Sequence, residues 1–226
     1  MMYRMFTTRS LSVAAAVALT ALLAACSGGG PAGPTTSEQR QVADFHAIEL
    51  RGAADLTVAV GSATSLTITA DATTLGKLKT EVHDGKLVID HQSGWSFLSG
   101  SGVKMQLTTP QLDALTINGA GDINITGVKG PKLDLQLNGA SNLKASGATE
   151  DLDANLSGAG DVDLSQLNAR NAKVSVNGAG NLKVLATGAL DATVNGVGSI
   201  SYAGNPQPVK TQINGVGSIK PASGGG

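Results

Sequence analysis

Apolar and polar residues alternate along most of the C-terminal half of this chain, and the alternation restarts every 18 to 20 residues. Each restart carries a four-residue motif: Asn or Ser, then Gly, then Ala or Val, then Gly or Ser. Because successive side chains of a strand point to opposite sides, this alternation predicts strands with one buried face. The six copies of the motif begin at Asn118, Asn138, Ser157, Asn177, Asn195 and Asn214.

Two apolar positions recur in every copy, one directly before the motif and one five residues after its start. A repeat of nearly constant length with recurring apolar positions predicts a solenoid, in which each copy is one coil stacked on the previous coil. We therefore predict an all-β, single-domain β-solenoid, similar to a parallel β-helix, with two-sided coils of about 19 residues. The two apolar sets are Ile117, Leu137, Leu156, Val176, Val194 and Ile213, and Ile123, Leu143, Val162, Leu182, Ile200 and Ile219.

The second residue of every motif is glycine, which predicts a structural role in a tight turn. Glycine adopts positive φ without a Cβ clash, and the preceding Asn tolerates the left-handed region by bonding its own backbone. We expect these residues to form the corner of each coil. They are Gly119, Gly139, Gly158, Gly178, Gly196 and Gly215.

The segment between residues 41 and 110 has a different β pattern. Residues 54–60 and 65–70 alternate as strands, and Asp84-Gly85 between β-prone residues predicts a hairpin. A solenoid needs a cap over its terminal edge, which would otherwise pair with other chains. We therefore expect 41–110 to cap the repeats at 111–220, both within one domain at 41–220, with a glycine-rich tail at 221–226.

The N-terminal end predicts the compartment. Arg4 and Arg9 precede an apolar run from Leu11 to Ala25, which has the length of a signal-peptide core and is too short to span a bilayer. Cys26 follows, and the preceding small residues resemble a bacterial lipobox, in which the cysteine is acylated.

Residues 1–25 are thus predicted to be a lipoprotein signal peptide, and residues 26–40 a flexible tether from the lipidated Cys26. A plain secretory signal with an incidental cysteine is the alternative. The predicted location is the bacterial cell envelope, anchored to a membrane by lipid, periplasmic or surface-exposed. If the host has two membranes, the anchor is expected in the outer one.

Composition and motifs argue against several classes of function. The formal net charge is −1 and no basic cluster is present, so nucleic acid is not an expected partner. The histidines lack metal-ligand spacing and no G-x-S-x-G motif occurs, so no catalytic residue, metal or cofactor is predicted. Asp122 and Asp161 follow glycine-rich motifs as in calcium-binding rolls, but they lie two coils apart, which is too far for a shared ion.

The outward charges alternate in sign on successive coils, at Lys144, Asp163 and Lys183. Such alternation is typical of a solvated surface rather than of a clustered polysaccharide-cleaving site.

One set of uncharged polar residues lies two positions before each motif and is predicted to point outward. Stacked at strand spacing, these residues would form a neutral hydrogen-bonding column, here called the stripe. It is either a candidate ligand-contact face or simply a soluble surface. Trp95 is the candidate aromatic anchor beside it, or a plug between cap and core. The stripe consists of Thr116, Gln136, Asn155, Ser175, Thr193 and Gln212.

Several segments together resemble the autotransporter adhesin head GIN domain family, a domain of unknown function. They are Asp44-Phe45, Arg51-Gly52, 84–89, Pro110 and the Asn-Gly-Ala-Gly repeats, and the resemblance covers roughly residues 42–220. It implies a secreted or lipid-anchored envelope protein with a β-solenoid fold, and it brings no catalytic residues with it.

The predicted function is therefore non-catalytic: adhesion to, or interaction with, glycans or protein partners. A structural or stress-related envelope scaffold without a specific ligand is the alternative, and a polysaccharide-processing enzyme is the third option. The C-terminal end shows no evident cap, so oligomerisation through it is a further prediction.

Overall fold

The computed structural model describes residues 34–61, 63–91 and 102–222. The signal peptide, Cys26 and Trp95 lie outside these residues, so the predictions that concern them are not addressed by the fold. The described part consists mainly of strands. In chain order they are β1 Thr35–Arg40, β2 Ala47–Ala53, β3 Asp55–Val60, β4 Ser65–Asp71, helix α1 Ala72–Lys77, β5 Leu78–His83, β6 Lys86–His91, β7 Lys104–Thr109, β8 Ala114–Leu137, β9 Ala140–Leu156, β10 Ala159–Val176, β11 Ala179–Ala186, β12 Leu190–Val194, β13 Val197–Ala203, β14 Val209–Ile213 and β15 Val216–Pro221.

The repeats form the predicted solenoid, with parallel strands stacked coil on coil. Equivalent motif residues pair in register, as in Ala120 with Ala140 and Ala140 with Ala159. Each of β8, β9 and β10 is a long strand that passes around bends of the coil. It stays continuous because it pairs with the neighbouring coils on both sides of each bend. The all-β single-domain solenoid predicted from the alternation is confirmed.

The core is a column of aliphatic side chains inside the coils. Both predicted apolar sets point inward, and from Ile117 to Val194 and from Ile123 to Ile200 each member is at most 3 % exposed. Burial of each such side chain stabilises the fold by about 1.5–3 kcal/mol relative to an exposed one. Ile213, on the last described strand of its face, is 46 % exposed because β14 pairs with β12 alone.

The coil has three paired runs, so the prediction of a two-sided coil is wrong. After Ile125 the register shifts, and a further run pairs in parallel from Val128 with Gly147 to Gly130 with Thr149; the next run begins at Lys132 with Asp151. Its apolar residues vary between coils: Val128 is the one apolar residue from Thr126 to Gly130, whereas Leu167 and Ala169 are both buried in β10, so no recurring apolar position marks this run.

The corner glycines lie where predicted, but for a different reason. Of the non-glycine residues described, only Asp84 and Asn205 have positive φ, so the corner asparagines are not left-handed. A Cβ added at Gly158 would instead overlap the carbonyl oxygen of Gly139, and one at Gly139 would overlap that of Gly119. Close backbone approach between stacked coils therefore requires glycine here.

The N-terminal segment caps the solenoid and begins with a coil of its own. Arg51 and Gly52 of β2 pair in register with Asn118 and Gly119, so β2 and β3 form a coil that lacks the full motif. Antiparallel pairing of β4 with β7 then extends the sheet beyond this coil. The hairpin predicted at Asp84-Gly85 joins β5 to β6, with φ of 50° and 72° at the two turn residues.

Residues 35–40 form β1, so the prediction of a flexible tether extending to residue 40 is wrong. β1 pairs antiparallel with β4 from Thr35–Asp71 to Arg40–Leu66. The Arg40 guanidinium donates to the carbonyl oxygens of Leu75 and Leu78, each at 2.8 Å. No apolar residue occurs in β1, so backbone pairing and this guanidinium hold it without a hydrophobic signal in the sequence.

Candidate ligand-binding groove

A groove of 1010 Å³ crosses the outward side of seven strands: β7, β3, β8, β9, β10, β11 and β13. It lies on the C-terminal side of the Asn-Gly corner, and this surface is here called the groove face. Two columns of polar side chains line it, because outward residues repeat at every second position of each strand. The first column is Asp55, Asp122, Asn142, Asp161, Asn181 and Ser199; the second is Thr57, Asn124, Lys144, Asp163, Lys183 and Ser201.

The first column is held by hydrogen bonds from coil to coil. The Asn142 side-chain amide donates to Asp122 Oδ1 at 3.0 Å, and the Asn181 amide donates to Asp161 Oδ1 at 2.9 Å. The backbone N–H of Asp161 donates to Asn142 Oδ1 at 3.1 Å, and the Ser199 hydroxyl donates to Asn181 Oδ1 at 2.8 Å. Asn142 thus separates the carboxylates of Asp122 and Asp161, whereas Asp55 and Asp122 are direct neighbours and the backbone N–H of Asp122 donates to Asp55 Oδ1 at 3.3 Å.

The second column alternates in charge, as predicted. Asp163 pairs in register with Lys144 on one side and Lys183 on the other, and Lys183 Nζ lies 3.8 Å from Asp163 Oδ2. The Ser165 hydroxyl donates to Asp163 Oδ1 at 2.6 Å. This hydrogen bond is the largest cause that lowers the pKa of Asp163; burial opposes it, and the two lysines add to it.

A ladder of asparagine side chains, separate from the two columns, runs along the Asn-Gly corner. Asn138 donates to Asn118, Asn195 to Asn177 and Asn214 to Asn195, at 3.0, 2.5 and 2.7 Å. The ladder is interrupted where the motif begins with Ser157. There Asn177 donates instead to Asn155 Oδ1 on the adjoining run at 2.7 Å. The corner asparagines therefore act by bonding the neighbouring coil.

A sequence model of one family matches residues 44–206, and its description is "Putative auto-transporter adhesin, head GIN domain". The chain belongs to this family. The resemblance carried by the motif repeats is thereby confirmed.

Similar solved structures include one, from Bacteroides fragilis, that shares the fold of this head GIN domain. A putative adhesin from Bacteroides fragilis is 21 % identical with a TM-score of 0.67, over 85 % of this chain and 99 % of that one. A putative adhesin from Parabacteroides distasonis is 18 % identical with a TM-score of 0.47, over 84 % and 98 %. No curated protein matches the chain.

The structure brings the predicted stripe together on the other side of the corner of the GIN domain, a surface here called the stripe face. Gln136, Asn155, Ser175, Thr193 and Gln212 pair in continuous register. Thr116 lies opposite Glu49 of β2 on the first run of β8, and this run stacks on the one that carries Gln136 through the N–H of Asn138, which donates to the carbonyl oxygen of Ile117.

The stripe residues are mostly half-buried and bond to their neighbours. The Gln136 amide donates to Asp134 Oδ1 at 2.8 Å, and Asn155 Oδ1 accepts from both Ser175 and Ser157, at 3.1 and 3.2 Å. A smaller groove of 490 Å³ runs beside the stripe, along charged residues that include Lys173 and Lys210. Ligand contact by the stripe remains a prediction.

The sequence shows a pattern at positions that line the groove, but it does not indicate that these positions form a groove. The position after each motif, from Asp122 to Ser199, is always Asp, Asn or Ser, and that pattern is the signal that finds the first column. In the sequence alone, this position suggests a calcium ligand and nothing further. What the pattern does not reveal is that amides and carboxylates bond across coils.

Within residues 34–61, 63–91 and 102–222, no cluster of three or more His, Cys, Asp or Glu side chains is arranged to hold a metal ion. The same residues contain no helix that is both long and apolar enough to cross a membrane. Membership of an adhesin family favours a location in the envelope or at the surface, and a non-catalytic role.

Proposed function

We propose that this protein is a non-catalytic, adhesin-like envelope protein that presents a rigid β-solenoid to a glycan or protein partner. The observation that carries the proposal is the long groove on the GIN domain, whose polar side chains are already ordered. Groups fixed before binding lose little conformational entropy when a ligand arrives, so a preorganised surface binds more tightly than a mobile one. A long groove with ordered side chains is suited to recognising a partner.

We further propose that a lipid on Cys26 holds the domain at a membrane. Cys26 is the single cysteine of the chain, and acylation contributes about 0.8 kcal/mol of membrane affinity for each buried CH₂ group. Because β1 begins at Thr35, eight residues, 27–34, connect the cysteine to the domain. At ~3.5 Å per residue they reach at most about 28 Å, so the domain is expected to remain near the anchoring bilayer.

Lipidation is tested by labelling the producing bacterium with a clickable palmitate analogue. The wild-type protein should take up label and fractionate with membranes, whereas Cys26→Ser should do neither. The neighbouring Ser27→Ala is the control and should behave as wild type. Label that persists in Cys26→Ser, or membrane association without label, would contradict the anchor.

Surface display is tested by protease treatment of intact cells, with scoring of cleavage within residues 27–34 and a periplasmic protein as control. Cleavage together with loss of cell attachment on deletion of the gene would support adhesion. Protection until the envelope is opened, with unchanged attachment, would instead support the alternative of a periplasmic scaffold.

A further inference from the structure

We propose that the groove is a binding site for an extended, uncharged polysaccharide, whose hydroxyl groups bond to the first column and to Lys144 and Lys183. This rests on the proposed function and names the ligand class and the surface that serve it. Four properties of the groove support it: its length, its charge, its lining and the order of its side chains.

The length of the groove fits a polymer better than a compact molecule. The groove crosses seven strands, so six inter-strand steps of ~4.8 Å give a length of about 29 Å. Equivalent polar groups recur at each step along this length. A ligand that uses them all must be extended and must itself repeat its hydrogen-bonding groups.

The charge of the groove fits an uncharged ligand. Its lining includes the carboxylates of Asp55, Asp122, Asp161 and Asp163 and the ammonium groups of Lys104, Lys144 and Lys183, so four negative charges face three positive ones. Each of these ammonium groups is on a residue paired in register with an aspartate, so the two signs nearly cancel across the groove as a whole. A polyanion would meet the first column of carboxylates, and a polycation would meet the lysines.

The lining does not suit a peptide. The floor residues Leu143, Val162 and Leu182 are 1–2 % exposed, so they offer no pocket for an apolar anchor. Strands β9, β10 and β11 pair on both sides within the sheet, so a peptide cannot add to them as a further strand.

The order of the first column suits sugar hydroxyls. A hydroxyl group both donates and accepts hydrogen bonds, a carboxylate accepts about four, and an ammonium group donates three. Asp122 and Asp161 each use one carboxylate oxygen to accept an amide of the next coil, which fixes the side chain and leaves capacity to accept from a ligand. Lys144 and Lys183 then supply donors from the second column, each on the coil that follows the one carrying Asp122 or Asp161.

The test measures binding of uncharged oligosaccharides to the full mature chain, purified in detergent. Cellohexaose, laminarihexaose, maltohexaose, mannohexaose and chitohexaose are titrated by calorimetry. We expect at least one to bind, and we expect the double variant Lys144→Ala/Lys183→Ala to weaken it by at least tenfold. Both lysines are exposed, so the melting temperature should stay within a few degrees of wild type.

The matched control is Lys173→Ala/Lys210→Ala on the stripe face. Lys173 and Lys210 also lie in register with an aspartate, Asp191, and they are exposed as well. This control should bind the same oligosaccharide within twofold of wild type. An equal loss of affinity in control and groove variants would overturn the assignment of the groove.

Failure of all five oligosaccharides to bind would overturn the ligand class, as would binding of oligogalacturonate alone that disappears at 0.5 M salt. Cell attachment separates these results from the proposed function. If the wild-type gene still confers attachment while no uncharged glycan binds, adhesion stands and this inference fails. If a glycan binds through the groove but attachment is unchanged on gene deletion, the inference stands and the adhesive role fails.

Discussion

The stripe face and the groove face meet at the same Asn-Gly corner and are built from the same alternation, yet their polar side chains differ in exposure. Stripe residues such as Gln136 and Ser175 are half-buried and bond within their own surface. Groove residues such as Asn142 and Lys144 are exposed and line a groove of 1010 Å³. Side chains on both faces bond to their neighbours, so exposure beside a groove, and not outward polarity alone, distinguishes the groove face.

The largest effect is expected at the corner that both faces share. Gly158→Val places side-chain carbon where the carbonyl oxygen of Gly139 lies, so the stacked coils must separate. We expect a loss of more than about 4 kcal/mol in the free energy of unfolding, or failure to fold, measured by urea denaturation. Gly130→Ala is the control: it meets no atom within 4 Å and should change the free energy by less than about 1 kcal/mol. Equal losses in both variants would argue against close coil contact.

The next effect concerns the core beneath the stripe face. Leu156 is fully buried at 0 % exposure, so Leu156→Ala should cost about 2–5 kcal/mol through lost burial and a residual cavity. Ile213→Ala, the same inward position on the last described coil, is the comparison. Because Ile213 is 46 % exposed, its loss should be less than half as large in the same denaturation experiment. A larger loss at Ile213 would mean that something covers the C-terminal coil in solution.

A smaller effect is expected at Asn177, the corner residue whose side chain donates a hydrogen bond to Asn155 of the stripe. Asn177→Ala removes the donor to Asn155 and the acceptor for Asn195, two exposed hydrogen bonds of about 0.5–1.5 kcal/mol each. We expect a total loss of about 1–2 kcal/mol in thermal and urea unfolding. Ser157→Ala, which removes one bond to Asn155, should cost less. A neutral result at Asn177 would show that the ladder follows from the fold without stabilising it.

The smallest effect is a pH dependence that belongs to the groove face. The Ser165 hydrogen bond, with the nearby lysines, holds the pKa of Asp163 below its usual value. A lowered folded-state pKa stabilises the fold above the unfolded pKa, about 3.9, and this contribution is lost as pH falls through the folded pKa. The stability advantage of wild type over Asp163→Asn should therefore shrink between pH 5 and pH 2.

The measurement for Asp163 is urea unfolding at several pH values. Ser165→Ala should reproduce part of the change, because it removes the largest cause of the lowered pKa. An advantage of wild type that stays constant down to pH 2 would contradict the assignment.

Most of the fold was predictable because the inward positions repeat. The apolar positions of Ile117 and Leu143 recur in every repeat, so the same positions must face the core in each coil. Asp84-Gly85 is a local turn signal. β1 was not predictable, since Thr35–Arg40 contains no apolar residue and is held by pairing with β4 and by Arg40. The third run of the coil is hard to predict for a related reason: its buried residues differ from coil to coil, from Val128 alone to Leu167 and Ala169, so no apolar position recurs.

The candidate site was only partly predictable. The alternation at Lys144, Asp163 and Lys183 was visible in the sequence, and the structure confirms it. The bonds that join Asp122 to Asn142 and Asp161 to Asn181 depend on atoms of neighbouring coils, whose register no single repeat reveals. The sequence points to the stripe instead, because an uncharged polar residue occupies one position in all six repeats, which is a clearer pattern than the mixed residues of the groove.

The most direct test of the difference between the faces is nuclear magnetic resonance of the side-chain amide groups, because each face carries its own reporters. Asn142 and Asn181 line the groove, whereas Gln136 and Gln212 belong to the stripe. On titration with the uncharged oligosaccharides named above, the account predicts that the signals of Asn142 and Asn181 shift while those of Gln136 and Gln212 stay in place. Shifts confined to the stripe glutamines, or no shift at any of the four with any oligosaccharide, would contradict it.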